Sequence, residues 1–178
     1  MLRLDARASR GWRVALGAAV VSAAVVVFLM LAYVLDPLRE GLNATFFADA
    51  NWSGEIVHTM VDRHVSTDTV FVPWRGSPPE TFSAVWSGAF IATGDGTYTF
   101  ATASDDGSWV SLNDKLILDN GGTHPAKLVR RSVRLAAGWY RFGLRYEDAG
   151  GDRFLQFRVY KDYEPVALSQ ADLFFSQP

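Results

Sequence analysis

The chain has 178 residues, 49% of them hydrophobic and 20% charged, with no cysteine and a formal net charge of -2. That length suits one domain with an appendage, and the 13% aromatic share excludes a disordered chain. The lack of cysteine excludes disulfide staples, thiol nucleophiles and cysteine-ligated zinc.

Arg3, Arg7, Arg10 and Arg13 stand against Asp5 alone at the N-terminus, so the remainder of the chain is acidic. An acidic domain is a poor match for phosphate backbones, and nucleic acid is not an expected partner. Val14 to Leu35 then reads VALGAAVVSAAVVVFLMLAYVL, without a charge. About 20 apolar residues cross a hydrocarbon core, so residues 14–35 are expected to form a transmembrane helix in the lipid bilayer. The arginines before it predict a cytoplasmic tail over residues 1–13 and export of everything after Leu35 to the periplasmic or extracellular side. The run ends in bulky residues and exceeds the apolar core of a cleaved signal peptide, which favours a retained single-pass anchor. Asp36-Pro37 stops the helix and opens a linker over 36–41.

From Leu42 short apolar stretches alternate with Gly, Asp and Asn, the pattern of strands and turns. Leu42 to Phe47 is the first strand. Residues 49–80, with Pro73, Pro78 and Pro79, read as a long loop carrying short strands. Phe82 to Gly88 and Gly96 to Ala103 follow, the latter with Tyr98 and Phe100 on one side. Trp109 to Leu112 and Leu116 to Leu118 flank Asn113-Asp114, a hairpin turn. Leu128 to Leu135, Trp139 to Tyr146 and Phe154 to Tyr160 complete the strands. Ser169 to Phe174 reads as a short helical turn capped by Ser169. Many short strands separated by turn residues predict an all-β sandwich or barrel over 42–178. Trp86, Tyr98, Phe100, Trp109, Trp139, Phe142 and Phe157 are its expected core.

The order of four motifs is more specific. Gly41-Leu42 with Phe46-Phe47, then FSAVWSGAF, then GTYTFATASDDGSWVSLNDKLILDNGG, then AAGWYRFGLRYEDAGG resemble the PA14 domain, a module of toxins, glycosidases and cell-surface adhesins. The resemblance covers about residues 41–160 and implies an antiparallel β-sandwich of jelly-roll type. It also implies a site. In lectin members the paired aspartates, here Asp105 and Asp106, hold a calcium ion, with a further ligand from a later loop, here Asp148. Calcium takes oxygen ligands of this kind. Asp-Asp-Gly is equally a turn sequence whose carboxylates bond nearby backbone N–H groups, and the residues leave both readings open.

Trp52, Trp74 and Asp152 are candidates to line a sugar pocket. Asp119-Asn120-Gly121-Gly122 reads as a structural turn, and Arg130, Arg131, Arg134, Arg141 and Arg145 as strand-surface charges. His58, His64 and His124 have no metal-ligand spacing. Nucleophile-elbow, phosphate-loop and HExxH motifs are absent from the sequence, so an enzyme is not expected. The expected function is carbohydrate binding, lectin-like and with a calcium cofactor, toward a glycan or cell-envelope polysaccharide. The alternative is an assembly module that joins other envelope proteins.

Overall fold

The computed structural model describes residues 39–74, 78–162, 164–165 and 173–176. The expected membrane run at 14–35 lies outside them. Among the described residues no helix is long and apolar enough to cross a membrane.

Two antiparallel sheets form the domain. The strands are β1 (Arg39–Glu40), β2 (Leu42–Phe47), β3 (Ile56–Asp62), β4 (Phe82–Ala92), β5 (Gly96–Asp105), β6 (Ser108–Leu112), β7 (Lys115–Asn120), β8 (Lys127–Leu135), β9 (Gly138–Asp148), β10 (Phe154–Lys161), β11 (Glu164–Pro165) and β12 (Phe174–Ser176). The larger sheet runs β1-β12-β4-β9-β6-β7, with β2 also on β4 and β3 outside β2. The smaller runs β11-β10-β5-β8. Strand β4 organises the larger sheet. Its eleven residues pair with β9 from Phe82↔Asp148 to Ala92↔Gly138, and its other edge is shared end to end by β2 and β12.

Alternation decides which side chains meet between the sheets. On β2, Leu42, Ala44 and Phe46 point inward; on β9, Phe142, Leu144 and Tyr146 do. The inward faces deliver an aromatic cluster in which Phe142 and Phe174 lie 4.7 Å apart, Phe90 and Phe100 5.3 Å, and Phe142 and Phe157 5.4 Å. Each such buried ring stabilises the fold by about 1.5–3 kcal/mol through area alone, and edge-to-face geometry adds to that. Trp86 is fully buried, and its indole N–H donates to Asp62 Oδ2 at 2.7 Å. The other Asp62 oxygen accepts the His64 N–H at 2.8 Å, so this buried carboxylate is satisfied on both sides.

Three sequence expectations change. Trp109 and Trp139 are outside the core: Trp109 shares a phase with Ser111, and Trp139, 52% exposed, shares one with Arg141 and packs on Phe175. The stretch 49–80 carries a strand, β3, as expected, but also the unexpected helix α1 (Thr67–Phe71). Phe174 begins a strand that pairs with Phe90; residues 169–172, the rest of the expected helical turn, lie outside the described residues. The Asn113-Asp114 hairpin turn holds, with φ of 47° and 64°, the left-handed pair that a two-residue turn requires. Strand β8, the smaller sheet's outer edge, carries Lys127, Arg130, Arg131 and Arg134, charges that discourage edge-to-edge pairing.

Candidate functional site

Two features mark the larger sheet, an acidic tip at one end and a trough on its outward face. The tip is the turn from β5 to β6, where the Asp105–Asp106 peptide is cis. Asp106 is 2% exposed. Its Oδ1 accepts the His124 N–H at 2.9 Å and its Oδ2 the Ala149 N–H at 2.8 Å, so one carboxylate ties three loops together. Asp148, also buried, accepts the Gly150 N–H at 2.9 Å and pairs through its other oxygen with Arg153 Nε. Arg153 continues to the carbonyls of Pro79 and Glu80 at 2.6 and 3.1 Å, which fastens the segment before β4.

Beneath the turn lies a buried polar cluster. Ser104 Oγ lies 2.7 Å from Ser108 Oγ and donates to the Asp106 carbonyl at 2.7 Å, and Asn120 Nδ2 donates to Ser104 Oγ at 2.9 Å. The expected structural role of the Asp119–Gly122 turn agrees with this placement of Asn120. Tyr146 donates its hydroxyl to the Asp105 carbonyl at 2.6 Å, and burial together with the surrounding carboxylates raises its pKa. Burial, then the charge of Asp106, raises the carboxyls of Asp105 and Glu147. Burial also raises Asp148, with Arg153 pulling it back only in part.

These partners test the calcium expectation. Calcium seeks six to eight oxygens. Asp105 and Asp106 are donors of the right type, but the Asp148 carboxylate already faces a guanidinium, and a second cation there meets like-charge repulsion. The three aspartates therefore do not fit the ion as a set. Among the described residues no three carboxylate or imidazole side chains come together as a metal cluster.

The trough lies on the outward face of the larger sheet and encloses about 800 Å³. Strand register builds its floor. Asn43 pairs with Ser87, Ser87 with Gly143 and Gly143 with Ser111, one row of small residues crossing four strands. In the next row Val85 pairs with Arg145 and Arg145 with Trp109, which raises a wall beside the floor. Trp52 completes that wall from the loop after β2. Its backbone N–H donates to Ser83 Oγ at 3.0 Å and its indole N–H to the Ala84 carbonyl at 3.3 Å. The Trp52 and Trp109 rings meet edge to face at 5.5 Å, and the Arg145 guanidinium lies 5.4 Å from the Trp52 ring centre. Across the floor, exposed Arg141 pairs with Asp114 at 2.5 Å.

Of the sequence candidates, Trp52 lines this trough. Trp74 instead packs edge-on against Phe82 at 5.4 Å and donates to the Val70 carbonyl, and Asp152 is exposed in the loop near Asp105. The residues that sequence reasoning missed are Trp109, Arg141, Arg145 and the small floor row. Their signal was the β9 phase: once Phe142, Leu144 and Tyr146 face inward, Arg141, Gly143 and Arg145 face outward together.

A family model described as PA14 domain matches residues 38–167. No curated protein matches the chain. Among solved structures the chain is similar to an anti-sigma factor domain-containing protein, at 22% identity and a TM-score of 0.68 over 79% of this chain and 49% of that one. It thus spans about half the length of that protein. It is also similar to the PA14 domain of the antifreeze protein MpAFP, at 16% identity and TM-score 0.65 over 78% of this chain and 92% of that one. A third likeness is to the A domain of epithelial adhesin 6 from Candida glabrata, solved with Galb1-3GlcNAc, at 14% identity and TM-score 0.58 over 78% and 88% of the two chains.

Proposed function

The chain belongs to the PA14 domain family, and from that premise we propose that it is a carbohydrate-binding module, without catalytic activity, displayed outside the cytoplasm by the apolar run 14–35. The observation that carries this reading is the trough, where two indoles and a guanidinium stand over a floor of Asn, Ser and Gly. Sugar rings present C–H faces that pack on aromatic surfaces, while their hydroxyls need short polar partners; sites of this kind are concave with a few placed polar groups. The adhesin with a related fold was solved with a disaccharide, which supports the ligand class.

In this reading the acidic tip is a structural clamp, its charge offset internally by Arg153, and sugar binding is independent of calcium. Calorimetry of the full chain in mild detergent against a glycan panel, with calcium and with EDTA, tests it. Binding retained in EDTA and lost in Trp109→Ala is expected. Absence of binding to every glycan overturns the reading.

One observation favours a second reading, an assembly module for envelope proteins. Strand β3 is an outer strand on which Ile56 is 56% exposed, with Val57 and Val61 exposed beside it. Such an edge is a template for a partner strand. Partners that co-purify with the wild type and are lost in Val57→Lys would support it.

A further inference from the structure

We infer that the ligand of the trough is an acidic carbohydrate, a chain of uronate-type sugars, and that Arg145 reads its carboxylate; the inference rests on the carbohydrate reading above. Arg145 faces outward from the middle of β9, held by pairing with Val85 on one side and Trp109 on the other. Its guanidinium lies against the Trp52 indole. A guanidinium held beside an aromatic ring by cation–π attraction keeps its N–H fork available to a planar carboxylate.

Among the described residues the ion pairs are Arg141 with Asp114 and Arg153 with Asp148, so neither engages Arg145. Glu147 follows two residues later on the same face, beside Gly107 rather than over the trough floor. Arg141 stands four residues from Arg145 on the same strand, roughly 13 Å away at the strand rise, on the opposite side of the floor. Arg141 is already paired with Asp114, which lines the same trough, so Arg145 carries the net positive charge of the lining and meets one carboxylate of a repeating chain. The floor between them, Ser87, Gly143 and Ser111, suits hydroxyl-bearing rings. In a domain that is acidic apart from its N-terminal tail, this placement of positive charge is local and selects for anions.

The test compares oligomers of galacturonate and of mannuronate with the same oligomers methyl-esterified at the carboxylate, alongside neutral oligosaccharides and polyglutamate, by calorimetry on the full chain. The expected result is binding of an oligouronate, at least about tenfold weaker once esterified, the loss typical of one charge-assisted contact. Arg145→Ala should remove that discrimination, and Arg145→Lys should restore part of it; near-UV circular dichroism verifies that both variants are folded. Equal affinity for the acid and its ester, or binding confined to neutral glycans, overturns this inference and leaves the carbohydrate reading standing. Polyglutamate binding as tightly as the oligouronates overturns it in favour of an acidic peptide partner. Failure of every carbohydrate overturns both.

Discussion

The indole of Trp109 lies on Gly121, where a β-carbon would come within 2.6 Å of the ring, and on Gly107, where one would come within 2.5 Å. These two glycines sit in different turns, one at the acidic tip and one after β7, and together they form the bed that seats a trough wall. Neither is needed for a left-handed backbone; each is needed for the close approach.

Gly121→Ala is therefore expected to push Trp109 off its bed. A rigid indole cannot yield as a flexible side chain would, and overpacking of this kind costs about 1–3 kcal/mol. The expected outcome is a lower melting temperature, altered tryptophan fluorescence and weaker glycan binding. Gly122→Ala makes a useful contrast, because a β-carbon there meets nothing within 4 Å although its φ of 94° is strained. It should leave the indole signal unchanged. Equal fluorescence changes in both variants would sink the account of the bed.

Most of the strands were legible because alternation and turn residues are local signals. The hairpin at Asn113-Asp114 needed only two residues and its flanks. The trough was not legible, because its floor joins Asn43, Ser87, Gly143 and Ser111, positions brought together by register between strands far apart in sequence. Trp109 and Trp139 were misplaced for a different reason: residue type suggested burial, whereas strand phase governs it. The neighbouring aspartates were conspicuous in the sequence, yet their meaning depended on Arg153. That residue reaches Asp148 across only five positions, but also the Pro79 and Glu80 carbonyls far upstream.

Trp86→Phe removes the buried N–H that satisfies Asp62 Oδ2. The ring volume falls only modestly, but a carboxylate oxygen is left buried without its donor, at a cost of roughly 1–3 kcal/mol. Chemical denaturation should register that loss with an unchanged m-value. Pairing it with Asp62→Ala tests the coupling: the two changes together should cost less than the sum of each alone. Strict additivity would show that the bond contributes nothing.

The raised carboxyls of Asp105, Glu147 and Asp148 set a direction for stability against pH. An acid whose folded pKa exceeds its unfolded one holds its proton more tightly when folded, so stability declines as pH rises from the ordinary carboxylate range through the raised values, then levels off. The melting temperature is expected to be higher in mild acid than at neutrality as far as these groups govern it. Asp105, only partly buried, contributes least because solvent screens it. Asp148→Asn should flatten the slope. A wild-type melting temperature that climbs steadily from roughly pH 4 to 7, the range that ionises carboxylates, would contradict this.

Arg153→Ala gives the sharpest test of the tip. The guanidinium pairs with the buried Asp148 carboxylate and also secures two carbonyls before β4. Removing one partner of a buried ion pair typically costs 3–5 kcal/mol because the remaining charge is uncompensated. For Arg153, whose side chain is 19% exposed, about 3 kcal/mol is expected. The vacated position then lies beside the Asp148 carboxylate and the Pro79 and Glu80 carbonyls, oxygens of the kind a hard divalent cation takes. Calcium at millimolar concentration should therefore raise the melting temperature of Arg153→Ala, by the mass-action stabilisation that binding to the folded state produces, while leaving the wild type unmoved by calcium or EDTA. Magnesium, which demands tighter octahedral geometry, should rescue less. A wild-type domain stabilised by calcium as strongly as the variant would mean that the ion displaces the guanidinium, and the internal clamp would have to be abandoned.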